Sequence, residues 1–266
     1  MTKDNRKDFR SYRWKLPADA FAFAERPDPG PTDLVKEDVW SSTVSLPDHV
    51  AVWTSDHHGS ELKAMNDVWG DWVLSSGDEQ DPMQYVMLDS ADELKAFIWN
   101  SLCGFYRVAA TCLRNVLELN TIGAYFQISK KLAKFEKWKQ ENYEIKYGNA
   151  CDYLFKHPST KSLEDHIKSR MNYSVFGEKT SWARELFQKL SSFTHSSATH
   201  TSAKLWEGST GPIYIQNSFG KAYALYLDTM CLSHVLLKLA RPRLALPKVT
   251  NLLRGKKHPA FQSCSV

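Results

Sequence analysis

SADELKAFIWNSLCGFYRVAATCLRNVLELNTIGAYFQ, residues 90–127, decides the fold class. Leu94, Phe97, Ile98, Leu102, Phe105, Ala109, Leu113, Val116 and Leu117 recur at steps of three and four, the period of a helix with one apolar face. Ser90 followed three residues later by Glu93 reads as a capping box. The pattern predicts one long helix over 91–127 that buries a broad face against several neighbours. Gly104 and Gly123 either permit close packing or divide that helix.

Working outward, residues 128–146 (ISKKLAKFEKWKQENYEIK) read as a second amphipathic helix, with Phe135 and Trp138 on its apolar side. HPSTKSLEDHI, around Pro158, reads as a loop entering a helix capped by Ser162, with Asp165 in its first turn. In WARELFQKLSSF, Trp182, Leu186, Leu190 and Phe193 fall on one helical face. FGKAYALYLDTMCLSHVLLKLA predicts a last helix that stops at Arg241 and Pro242. Upstream, ELKAMNDVWGDWVL predicts a helix with Gly70 as its weak point. The first 60 residues read as irregular, because ERPDPGPTDL holds three prolines and a glycine. VSLPDHVAVW reads as extended and HHGS, 57–60, as a turn. The fold class is therefore mainly α, a multi-helix bundle with an irregular N-terminal region in which short strands are an open alternative. Three regions are expected: an acidic N-terminal region over 1–89, a helical core over 90–241 and a basic arm over 242–266.

At 266 residues, 42% hydrophobic and 24% charged, the chain has the composition of a globular protein. MTKDNRKDFR lacks the apolar run of a secretory signal, and no apolar stretch reaches the length of a membrane-spanning helix. Five widely spaced cysteines suit reduced thiols in the cytoplasm. The net charge of +4 conceals a segregation. Residues 1–13 hold five basic and two acidic residues, and residues 231–266 hold seven basic and none acidic. Residues 31–93 set fourteen acids against two lysines. The basic end suits an anionic surface, nucleic acid, or the chain's own acidic part. No phosphate-cradling glycine loop, dinucleotide fingerprint or nucleophile elbow occurs, and the histidines form no zinc pattern. No metal or cofactor is expected.

Polar chemistry concentrates within FYRVAATCLRNVLEL. At 100° per residue, Arg107, Arg114 and Glu118 fall within about a 40° sector, and Tyr125 returns to the same direction. Glu118 can pair with Arg114 across an i,i+4 step, leaving Arg107 for a phosphate or a partner carboxylate. One reading is an ion network that fixes the register of the bundle. The other places His195, from LSSFTHSSATHTS (190–202), beside the arginines, if the 182–193 helix packs against the long one. An imidazole there would exchange a proton with a ribose hydroxyl while arginine stabilises phosphate charge.

LRNVLE in a long helix and LSSFTH at the end of another resemble the HEPN-like bacterial helical proteins, over roughly residues 90–240. That family includes toxins, abortive-infection proteins and accessory proteins, and the resemblance implies a helical bundle. In catalytic members an arginine and a histidine with four to six residues between them often form the ribonuclease motif. Here Arg184 and His195 have ten residues between them, and Arg114 has no nearby downstream histidine. Members without the motif act as binding or assembly modules. The resemblance therefore implies an interaction or accessory protein in stress or phage defence, with a protein partner or a homodimer. The alternative is a metal-independent ribonuclease acting on RNA through His195, Arg114 and Glu118, with Arg107 and Tyr125 as binding residues.

Overall fold

The computed structural model describes residues 36–77, 80–171, 174–177, 180–194 and 212–244. Two units divide between Val44 and Ser45. In the first, the described residues form a helical turn, Glu37–Trp40, and enter a π-helical turn, Ser41–Ser45. Among its described residues the second unit holds eight helices and no strand. They are α1 (Leu46–Ser75), α2 (Pro82–Leu102), α3 (Tyr106–Ser129), α4 (Leu132–Lys139), α5 (Tyr147–Lys156), α6 (Pro158–Met171), α7 (Trp182–Ser191) and α8 (Gln216–Ala240). The mainly α, multi-helix reading holds. No described helix is long and apolar enough to cross a membrane.

Several expectations are corrected. The long helix over 91–127 is two helices, divided at Gly104, which adopts φ +83°. A Cβ there would lie 2.5 Å from the Ile213 carbonyl oxygen, so both the left-handed backbone and the close approach require glycine. Ser90 caps nothing; it is buried inside α2. The cap is Asp81, whose carboxylate accepts from the Gln84 N–H at 2.7 Å, with Pro82 in the first turn. Residues 46–60, read as irregular or extended, belong to α1. HHGS lies within that helix, at a kink where His58 leaves helical geometry (φ −133°, ψ 31°). The helix expected over 128–146 is only α4; Lys130 (φ 55°) and Glu141 (φ 59°) bound it in left-handed conformations. Pro158 opens α6, so Ser162 lies inside that helix rather than at its cap. The boundary expected at 89/90 falls within α2.

α3 runs through the middle, packed mainly between α2 and α8, with α5 and α7 on another side. Leu113, Val116 and Leu117 from its apolar stripe are fully buried. A buried polar knot fixes the register of this core. The Trp72 indole N–H donates to Ser90 Oγ at 3.1 Å, and the Asn120 amide bridges Ser90 Oγ (3.4 Å) and Ser233 Oγ (3.1 Å). Four helices are thereby joined through groups that would each be costly to bury unpaired.

Where α3 crosses α2, a Cβ on Gly123 would lie 2.3 Å from Val86 Cγ2. Gly123→Ala is expected to destabilise by about 1–3 kcal/mol, despite alanine's better helix propensity. Adding Val86→Ala to the same chain should restore part of the loss in urea unfolding. Equal stability of wild type and Gly123→Ala would show that the crossing is looser than described.

Candidate functional site

The polar line on α3 meets the end of α7. Arg107 donates from Nε to the Phe193 carbonyl at 2.8 Å, and Arg114 from Nε to Ser191 Oγ at 3.2 Å. Arg114 also pairs with Glu118 at 3.1 Å, the i,i+4 partnership expected from spacing. Its guanidinium lies over the Phe187 ring at 4.9 Å, and Phe187 stacks on Tyr147 with centroids 3.9 Å apart and planes 7° from parallel. Arginine, phenylalanine and tyrosine thus form a continuous stack across α3, α7 and α5. Tyr125 is elsewhere: it is buried in a second apolar cluster with Phe126 and Phe135, where its hydroxyl accepts from Lys131. His195 lies outside the described residues, as does His200.

α7 is held in place from three directions. The buried Glu164 carboxylate on α6 accepts from Ser174 Oγ (2.7 Å), Val175 N (3.1 Å) and Phe176 N (2.7 Å), shaping the loop before α7. That loop returns backbone bonds to the first turn of α7, from Trp182 N to Ser174 O and from Ala183 N to Val175 O. Arg184 donates to the Gly177 and Gly148 carbonyls and pairs with Asp152 on α5. The Tyr147 hydroxyl donates to the Ala183 carbonyl at 2.9 Å. Phe187 and Ser191 are therefore presented to α3 by a braced element, the condition for a defined site.

Beside this stack opens a cleft of about 950 Å³ between α3, α4, α5 and α7, walled also by the α4–α5 connection and by Glu93 of α2. Four carboxylates line it, Glu93, Glu118, Glu141 and Glu144, against two cations, Arg114 and Lys146. Glu118 is paired with Arg114, so the remaining lining charge is three glutamates against one lysine. Trp138, Tyr143, Tyr147 and Phe187 supply aromatic wall. Glu141 and Glu144 are solvent-exposed. The left-handed Glu141, whose N–H donates to the Trp138 carbonyl, turns the chain back after α4, and the return is anchored by the buried Ile145.

Chemically, the cleft suits a cation. Carboxylates attract it, and the faces of Trp138 and Tyr143, outside the Arg114–Phe187–Tyr147 stack, favour positive charge that has lost part of its water. Cys112, close to Glu93, is no nucleophile at neutral pH: burial first, and the Glu93 charge second, push its thiol up to about 12. Glu141, Tyr143, Glu144 and Phe187 were not distinguished in the sequence. QENYE resembled the solvated face of a helix, and a signal against that was Asn142, a weak helix former. Comparison with protein-family models, curated proteins and solved structures finds no match for this chain.

Proposed function

We propose that this protein is a helical recognition module that holds a cationic side chain of a protein partner in the cleft between α3, α4, α5 and α7. The observation that carries this reading is the lining itself: three glutamates beyond the Arg114–Glu118 pair against one lysine, with the Trp138 and Tyr143 rings on the wall of about 950 Å³. The arginines that would stabilise a phosphate are engaged by the fold, Arg107 on Phe193 and Arg114 on Glu118, Ser191 and Phe187. This favours a register-setting and binding role for them. An interaction or accessory role in stress or phage defence, in the cytoplasm, belongs to the same proposal and rests on the resemblance of LRNVLE and LSSFTH to HEPN-like proteins.

Binding of a fluorescein-labelled lysine-rich peptide to the full chain tests it, with a glutamate-rich peptide as control. The lysine-rich peptide should bind, and more weakly as salt rises. Glu141→Gln with Glu144→Gln should weaken it about tenfold, or about 1.4 kcal/mol, without loss of fold, because both residues are exposed. Equal binding of both peptides, or no effect of the glutamine pair, would refute the reading. One observation favours the alternative ribonuclease: the end of α7 does reach Arg107 and Arg114. Cleavage of an RNA pool in EDTA, lost in a folded His195→Ala protein, would establish that activity instead.

A further inference from the structure

We infer that the basic segment 245–266 of the same chain occupies this cleft and competes with the external partner, an inference that rests on the recognition reading above. Two features carry it, charge complementarity and reach. Residues 245–266 contain Lys248, Arg254, Lys256 and Lys257 and no acidic residue, and Phe261 follows the basic run RGKKH. The cleft presents the complementary set, carboxylates with aromatic faces. Residues 1–13, the other basic stretch, carry two aspartates among their five basic residues and suit it less well.

The point where the segment departs is fixed. Lys238 Nζ donates to the Leu244 carbonyl at 3.0 Å, and Arg241 is clamped on Asp81. Asp81 also accepts from Gln127 Nε2 on α3 at 3.1 Å. Gln127 lies five residues beyond Ile122, which lines the cleft, a rise of about 7.5 Å along the helix. From Leu244 to Lys256 an extended chain spans up to about 40 Å. The RGKKH run therefore has ample length to lie along the glutamates. A tethered occupant acts at high effective concentration, so it lowers the apparent affinity for any outside cation until it is displaced. A partner with a stronger cationic anchor, or a modification that removes lysine charge from the segment, would open the site.

Zero-length carbodiimide coupling of the full chain, mapped in the monomer fraction, reads this contact directly. Amide links from Lys248, Lys256 or Lys257 to Glu93, Glu118, Glu141 or Glu144 are expected. Coupling of those lysines only elsewhere would overturn the inference, and links confined to a covalent dimer would overturn its intramolecular form. A second readout is binding of the lysine-rich peptide to full-length protein carrying Lys248→Gln, Arg254→Gln, Lys256→Gln and Lys257→Gln. The peptide should bind about five- to tenfold more tightly than to wild type. Unchanged binding that Glu141→Gln with Glu144→Gln still weakens would leave recognition standing and remove self-occupation. Absence of binding to both proteins would remove the recognition reading and this inference together.

Discussion

Arg241→Met is expected to destabilise the protein by about 3–5 kcal/mol, the largest effect of any single substitution considered. The Arg241 side chain is only 7% exposed and that of its partner Asp81 17%, so solvent screens the pair weakly. Arg241 donates to both Asp81 oxygens, at 2.7 and 3.0 Å, and to the Ser76 carbonyl at 2.8 Å. The same carboxylate caps α2 and accepts from Gln127. One ion pair thus ties the end of α8, the end of α1, the start of α2 and the last turns of α3. Methionine would retain most of the volume, leave the Asp81 charge buried with a weaker partner set, and withdraw a donor from Ser76. Asp81→Asn in the Arg241→Met background should recover part of the loss, since asparagine still caps a helix and carries no charge. Urea unfolding followed by circular dichroism measures both. A cost below about 1 kcal/mol for Arg241→Met would mean that the clamp does not hold these ends together.

Acidification from about pH 6.5 to pH 4 is expected to remove about 3 kcal/mol of stability through His234 alone. This imidazole is wholly buried, packed edge-on against Trp72 at 5.2 Å, with Nδ1 donating to the Met230 carbonyl at 2.7 Å. Burial pushes its pKa down to about 4, while the Met230 carbonyl and the Asp71 charge pull weakly the other way. In the unfolded chain it takes up a proton near pH 6.5, in the native chain only near pH 4. Between those values the unfolded state binds more protons, so stability falls as pH falls, at up to about 1.4 kcal/mol per pH unit. The loss is complete below the native value. Asp228 tilts the curve oppositely, because burial first of all raises its carboxyl pKa. The difference between wild-type and His234→Leu stabilities isolates the histidine. That difference should shrink steadily from pH 7 to pH 4; a constant difference would show that His234 takes up its proton as readily in the native chain as in the unfolded one.

The helical class was legible because apolar spacing reports burial locally. Trp182, Leu186, Leu190 and Phe193 are all buried, as the period of WARELFQKLSSF required. The division at Gly104 was only half legible. A glycine within a helical pattern signals a break or a close approach equally well, and the deciding contact, the Ile213 backbone, lies more than a hundred residues away. Ser90 misled for a related reason. A serine three residues before a glutamate caps a helix in isolation, but here Trp72 and Asn120 claim its hydroxyl. On the polar line, the Arg114–Glu118 pair followed from spacing because both residues share one helix. The partners Phe187 and Tyr147 come from other helices and Phe193 from the turn after α7, and no local pattern encodes them. Tyr125 shares the direction of Arg107 only as seen along the axis. Eighteen residues of helix separate the two by about 27 Å, enough to reach a different cluster.

Amide hydrogen exchange of the full chain carrying Lys248→Gln, Arg254→Gln, Lys256→Gln and Lys257→Gln, with and without the lysine-rich peptide, tests the central claim most directly. The α4–α5 connection, residues 140–146, has little helical protection of its own and carries Glu141, Tyr143 and Glu144 at the cleft. If the cleft receives the cation, exchange slows there and in the first turn of α5, and α1 is unaffected. Unchanged exchange over 140–146 under saturating peptide, or slowing confined to α1 and α8, would contradict it.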